Sequence, residues 1–136
     1  MSSELFHWDP QKFSVQVPQF DDAHRQLVTL MNALHALYTR KAPAREQSQA
    51  LQALTEFTVT HFAEEEAYMR HIGYPGLAIH MGVHRNLLGR LELFAAAFAA
   101  EGRFGEELFV FLRMWLAAHI CGVDARYGAT APENAA

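Results

Sequence analysis

Between residues 20 and 40, Leu27, Val28, Met31, Leu34 and Tyr38 recur at intervals of three or four, the repeat that lines one face of an α-helix. His24 falls on the same stripe. A second stripe opens after Pro43, a residue suited to a first helical turn, and runs through Leu51, Leu54, Phe57, Thr58, His61, Glu65, Tyr68 and Met69 until Gly73. Tyr74-Pro75-Gly76 reads as a turn. A third helix is predicted over 77–101, with Leu77, His80, Met81, His84, Leu87, Leu88 and Leu91 on one side, and Gly102 and Gly105 bracket the next connection. The fourth opens near Glu106 and carries Leu108, Phe111, Leu112, Trp115, Leu116 and His119, before the chain leaves the helix around Tyr127 and Gly128.

Four amphipathic helices with short connections predict an all-α protein, an up-down-up-down antiparallel four-helix bundle. The weak alternation of Phe13, Val15 and Val17, flanked by Pro10 and Pro18, reads as an extended N-terminal arm. The expected organisation is one domain over 1–127, with the arm at 1–19 and the bundle at 20–127, followed by a loose tail at 128–136. With 136 residues, 51% of them hydrophobic, the chain can bury one real core. A net charge of -4 without any basic block argues against nucleic acid and against a polybasic membrane anchor. No apolar run reaches about 18 residues, and the chain does not open with a cationic stretch leading into an apolar one. Membrane insertion is therefore not expected, and a cytoplasmic location is. Cys121 is the single cysteine, so no internal disulfide can form; it reads as a small packing residue.

The histidines change the picture. His61 with Glu65 and His80 with His84 are spaced four apart, so each pair presents two donors from one helix face. His24, His119 and Asp124 join them from the first helix and the end of the fourth. Each fragment alone arises often by chance, and a lone histidine on an apolar stripe is usually a satisfied core residue. All seven together are different, because burying them without compensation costs several kcal/mol per unpaired charge, which coordination removes. His7, His35 and His71 lack such company and read as structural or exposed. Seven donors without a cysteine are too many for one zinc, whereas mixed imidazole and carboxylate ligands suit iron or manganese. Two irons want about twelve coordination positions. Five imidazoles, two bridging carboxylates and a bridging oxide or hydroxide fill all but one, and an open position walled by apolar side chains is what reversible dioxygen binding needs.

Trp8-Asp9-Pro10, Asp21-Asp22-Ala23-His24, His61-Phe62-Ala63-Glu64-Glu65, His80 with His84, and Trp115 followed by His119-Ile120 and Asp124 resemble the hemerythrin family, in particular its bacterial single-domain members, over about residues 6 to 127. The resemblance implies two iron ions with a bridging oxo or hydroxo group. One iron would be held by His80, His84 and His119 and the other by His24 and His61, with Glu65 and Asp124 bridging and the open position on the two-histidine iron. It also implies an oxygen pocket lined by Leu27, Phe62, Trp115, Leu116 and Ile120, with ordinary core as the alternative reading of those residues. Ala23, where bacterial members often have Gln, and Val123 depart from the family pattern, which bears on tuning of the site. The implied function is reversible dioxygen binding for storage, transport or delivery, with an oxygen-consuming enzyme as a possible recipient. A diiron oxidase, peroxidase or nitric oxide reductase, or an oxygen or redox sensor, is the alternative. Ferritin-like diiron proteins use paired Glu-x-x-His motifs; the only such motif here is Glu4 to His7, in the arm. Glu64 and Glu66 are expected on solvated or interhelical faces.

Overall fold

The computed structural model describes residues 18–119, with the side chains of 18 and 116–118 excepted. The predicted arm and tail therefore lie almost wholly outside the described residues, as do His7, Ile120, Cys121 and Asp124 and the side chain of Leu116. The described residues form four helices: α1 (Pro18–Thr39), α2 (Ala44–His71), α3 (Leu77–Glu101) and α4 (Glu106–Ala118). No strand occurs among the described residues. Helix α1 starts two residues earlier than the pattern predicts, taking Pro18 and Gln19 from the expected arm. A proline at the first helical position gives up no needed hydrogen bond, and Asp21 in the first turn suits the positive end of the helix dipole.

Short connections force each helix to reverse on its predecessor. Lys41 turns the chain after α1 with a left-handed φ of 57°, and Gly73 does the same after α2 at 69°. Gly102 closes α3 at φ 76°, its N–H bonded to the Phe98 carbonyl, an arrangement that a side chain would strain. The antiparallel order is visible at both ends of the bundle. His24 near the start of α1 meets Glu65 near the end of α2, while Tyr38 near the end of α1 donates to Glu106 at the start of α4.

The core follows the predicted stripes on α1 and α2 closely. Leu27, Val28, Met31 and Leu34 are buried on α1, and Leu51, Leu54, Thr58, Phe62 and Met69 on α2. Thr58 satisfies its hydroxyl within the helix by donating to the Leu54 carbonyl at 2.7 Å. On α3 the fully buried positions are only His80, His84, Leu91 and Phe98, spaced four, seven and seven apart. Leu77, Met81, Leu87 and Leu88 on the predicted stripe are half-buried, and Ile79 and Leu93 face solvent. Helix α3 therefore presents a narrow seam, and a groove lined by Leu87, Arg90, Phe111, Met114 and Trp115 separates it from α4. The Arg90 guanidinium lies 4.6 Å over the Phe111 ring in that groove.

Candidate metal centre

Alternating helix direction brings the start of α1, the end of α2, the start of α3 and the end of α4 to the same end of the bundle. His24, His61, Glu65, His80, His84 and His119 are all there and all buried, Glu65 completely. They form two overlapping groups, His24, His61 and Glu65 on one side and Glu65, His80, His84 and His119 on the other, with donor atoms inside each group within 4.8 Å of one another. Glu65 belongs to both, and its two oxygens divide the work. Oε2 lies 3.2 Å from Nε2 of His24 and 3.3 Å from Nε2 of His61, whereas Oε1 lies 3.3 Å from Nε2 of His84.

The imidazoles of each group pack ring to ring. His24 and His61 have centroids 4.7 Å apart, and His80 and His84 stand 4.6 Å apart, with His119 at 5.2 Å from His80 and 5.1 Å from His84. Burial pushes the Glu65 carboxyl up, but the charge of His61 and the hydrogen bond with His24 outweigh it and hold the group well below the usual carboxylate range. That balance suits an anion waiting for cations.

The residues fit metal ions on two observations. The contacts of His61 and His84 to Glu65 lack hydrogen-bond alignment, and neither nitrogen of the buried His61 ring has a hydrogen-bond partner among the described residues. An imidazole in that position is costly to bury unless its lone pair is used. The spacing agrees as well. Ligands about 2.0–2.2 Å from a shared ion stand about 3 Å apart when they subtend a right angle, close to the 3.2–3.3 Å between imidazole nitrogens and Glu65 oxygens. The donor set contains imidazole and carboxylate and no thiolate among the described residues, which favours iron or manganese over a structural zinc.

Aromatic side chains wall the cluster. Phe62 stacks on His84 at 3.7 Å with an interplanar angle of 1°, and Trp115 meets Phe62 edge-on at 6.1 Å. Phe20 presents an edge to His61 at 5.9 Å. Leu27, Phe62 and Trp115, three of the five residues expected at an oxygen pocket, are buried. Asp124, the second expected bridge, lies outside the described residues. Of the histidines set aside on sequence grounds, His35 packs against Phe109 at 4.9 Å, away from the cluster, and His71 is exposed at the end of α2. Glu66, expected on a solvated or interhelical face, faces the neighbouring helix and brings Oε2 to 2.8 Å from Nδ1 of His84. Its only signal was a second carboxylate directly after the one predicted to bridge.

A four-helix bundle that gathers five buried imidazoles around a carboxylate with one oxygen turned to each group is a metal-binding helical bundle of the histidine-rich kind. Comparison with known proteins narrows the class. A family model described as the hemerythrin HHE cation binding domain matches residues 15–131. The bacteriohemerythrin of Methylococcus capsulatus is 32% identical over 125 residues, covering 91% of this chain and 95% of that protein. The bacteriohemerythrin of Stenotrophomonas maltophilia is 31% identical over 114 residues, covering 84% of this chain and 74% of its own. A crystal structure of wild-type hemerythrin superposes with a TM-score of 0.86 at 31% identity, covering 93% of this chain and 97% of that one. The chain belongs to the hemerythrin family.

Proposed function

We propose that the protein binds dioxygen reversibly at a non-heme diiron centre and serves in oxygen storage, transport or delivery in the cytoplasm, to an oxygen-consuming enzyme where delivery is its use. The observation that carries the reading is the division of Glu65, with Oε2 turned to His24 and His61 and Oε1 to His84, an arrangement suited to two cations rather than one. In this reading His24 and His61 would hold one iron and His80, His84 and His119 the other, with Glu65 and Asp124 as the carboxylates shared between them and an oxo or hydroxo group completing the centre. When bound, the iron pair supplies the electrons and the open coordination position that dioxygen requires.

The chain's own residues favour binding over turnover. Five imidazoles would bind as neutral ligands and stabilise ferrous iron, and they outnumber the one carboxylate that the described cluster contains. Phe62, Trp115 and Leu27 keep water from the buried end of the bundle, and the same role is assigned to Leu116 and Ile120. No described helix is long and apolar enough to cross a membrane.

Anaerobic reduction of the iron-loaded protein followed by titration with dioxygen tests the reading. Saturable uptake near one dioxygen per two irons, reversed by evacuation or inert gas, is expected. Continuous oxygen consumption at steady state would assign the protein to the diiron enzymes, and one zinc per chain with no uptake of iron would remove the diiron centre altogether.

A further inference from the structure

Glu66 sits one residue beyond Glu65, about 100° around α2, and faces α3. Its Oε2 lies 2.8 Å from Nδ1 of His84, while Nε2 of the same ring faces Oε1 of Glu65 at 3.3 Å. A single imidazole is thus held between consecutive carboxylates of one helix, and the two contacts are not equivalent. A carboxylate only accepts, so the short contact to Glu66 places a proton on Nδ1, and in the neutral ring this turns the lone pair of Nε2 toward Glu65. A third constraint comes from Phe62, stacked on the ring at 3.7 Å. No Lys or Arg pairs with Glu66 among the described residues, and its side chain is 22% exposed against 1% for His84, so the pair runs from the cluster toward the surface. His61, on the other side of Glu65, has no such backing: its buried Nδ1 finds no hydrogen-bond partner among the described residues.

We propose that Glu66 is a positioning residue that makes the two halves of the centre unequal. By fixing the Nδ1–H tautomer of His84 and lending it negative charge, it raises the electron-donating power of Nε2, so the metal position built from His80, His84 and His119 favours the higher oxidation state. A carboxylate behind a metal-binding imidazole acts in this way generally, and its loss weakens metal binding by about 10–100-fold. The inference rests on the diiron reading.

Two measurements test it. In the metal-free protein, ring ¹⁵N shifts should report the Nδ1–H tautomer for His84 and a loss of that preference in Glu66→Ala. In the iron-loaded protein, Glu66→Gln retains an acceptor but removes the charge. It should keep two irons and the oxygenated spectrum while its ratio of reduced to oxidised iron at a fixed potential rises about tenfold, equivalent to about 59 mV for one electron. Glu64→Gln, at the exposed neighbouring position, should leave that ratio unchanged. A residue that only braced the helices would alter melting temperature without moving the potential. An Nε2–H tautomer in the parent, or an unshifted potential in an iron-replete Glu66→Gln, overturns the inference and leaves the diiron reading standing. A parent that takes up no iron overturns the diiron reading, and the redox role of Glu66 falls with it. Should Glu66→Ala fail to fold, the parent tautomer and the Gln variant still decide the matter.

Discussion

His24 and His35 sit on the same helix, three turns apart, and meet opposite fates. His24 reaches Glu65 at 3.2 Å in the buried histidine cluster, while His35 packs edge-on against Phe109 at 4.9 Å beside Tyr38. The difference belongs to the two ends of the bundle. At the far end Phe98 packs against Phe104 at 4.2 Å and Tyr38 against Phe109 at 4.6 Å, and Leu51 and Leu108 are buried. Packing alone stabilises such a region, since apolar area removed from water is favourable whatever else is bound. At the other end, six of the described polar side chains are buried together, and in the proposed reading a cation offsets their loss of water. The far end holds the fold, and the near end spends stability on a site.

The sharpest way to break this contrast is to remove the shared ligand. Glu65→Ala should reduce iron from two per chain to almost none, because each oxygen of that carboxylate serves a different group of imidazoles, and Asp124→Ala should do the same if it is the second bridge. His35→Ala and His71→Ala should keep iron at the parent level. Elemental analysis after identical loading decides; equal loss in all four variants would show that the ligands are misassigned.

Core deletion should behave in the opposite manner. Leu54 is fully buried, so Leu54→Ala should cost about 2–5 kcal/mol in urea unfolding, with similar values for the metal-free and the loaded protein while iron stoichiometry is unchanged. A cost that appeared only in the loaded protein would couple the two ends.

A smaller effect separates them by pH in the metal-free protein. The Glu65 carboxyl is held below its ordinary range, so its contribution is present above the unfolded-state value of about 4.3 and is lost as pH falls through the folded value. The destabilisation caused by Glu65→Gln should therefore shrink as unfolding is measured from pH 7 down to acid, whereas that of Leu54→Ala should stay constant. A gap between parent and Glu65→Gln that widened in acid would reverse the sign assigned to this carboxylate.

Much of this was written in the local repeat. Leu51, Leu54, Thr58, His61, Glu65 and Met69 lie three or four residues apart and are all buried, because helical geometry alone puts them on one face. The same spacing made His61 with Glu65, and His80 with His84, into pairs before any fold was considered. The extent of burial was less legible. Leu77, Met81, Leu87 and Leu88 share the α3 stripe but are only half-buried, since the width of a seam depends on how closely the facing helix approaches. Phe104 lies in the connection between α3 and α4, where its sequence neighbours read as a turn, yet it is buried because the turn folds it back onto Phe98. Helix α1 opens two residues before its apolar stripe, because proline, which ends strands and helices elsewhere, is also at home in a first helical turn.

What the sequence determined by itself is the helix face that carries each of His24, His61, Glu65, His80 and His84, since that follows from residue identity and a fixed rotation of about 100° per residue. Only the tertiary structure decided which oxygen of Glu65 turns to which imidazoles, and that Glu66 reaches His84 from a neighbouring helix. Those contacts depend on interaxial distance and rotation between helices, quantities that no periodicity encodes and that the packing of the whole bundle fixes at once.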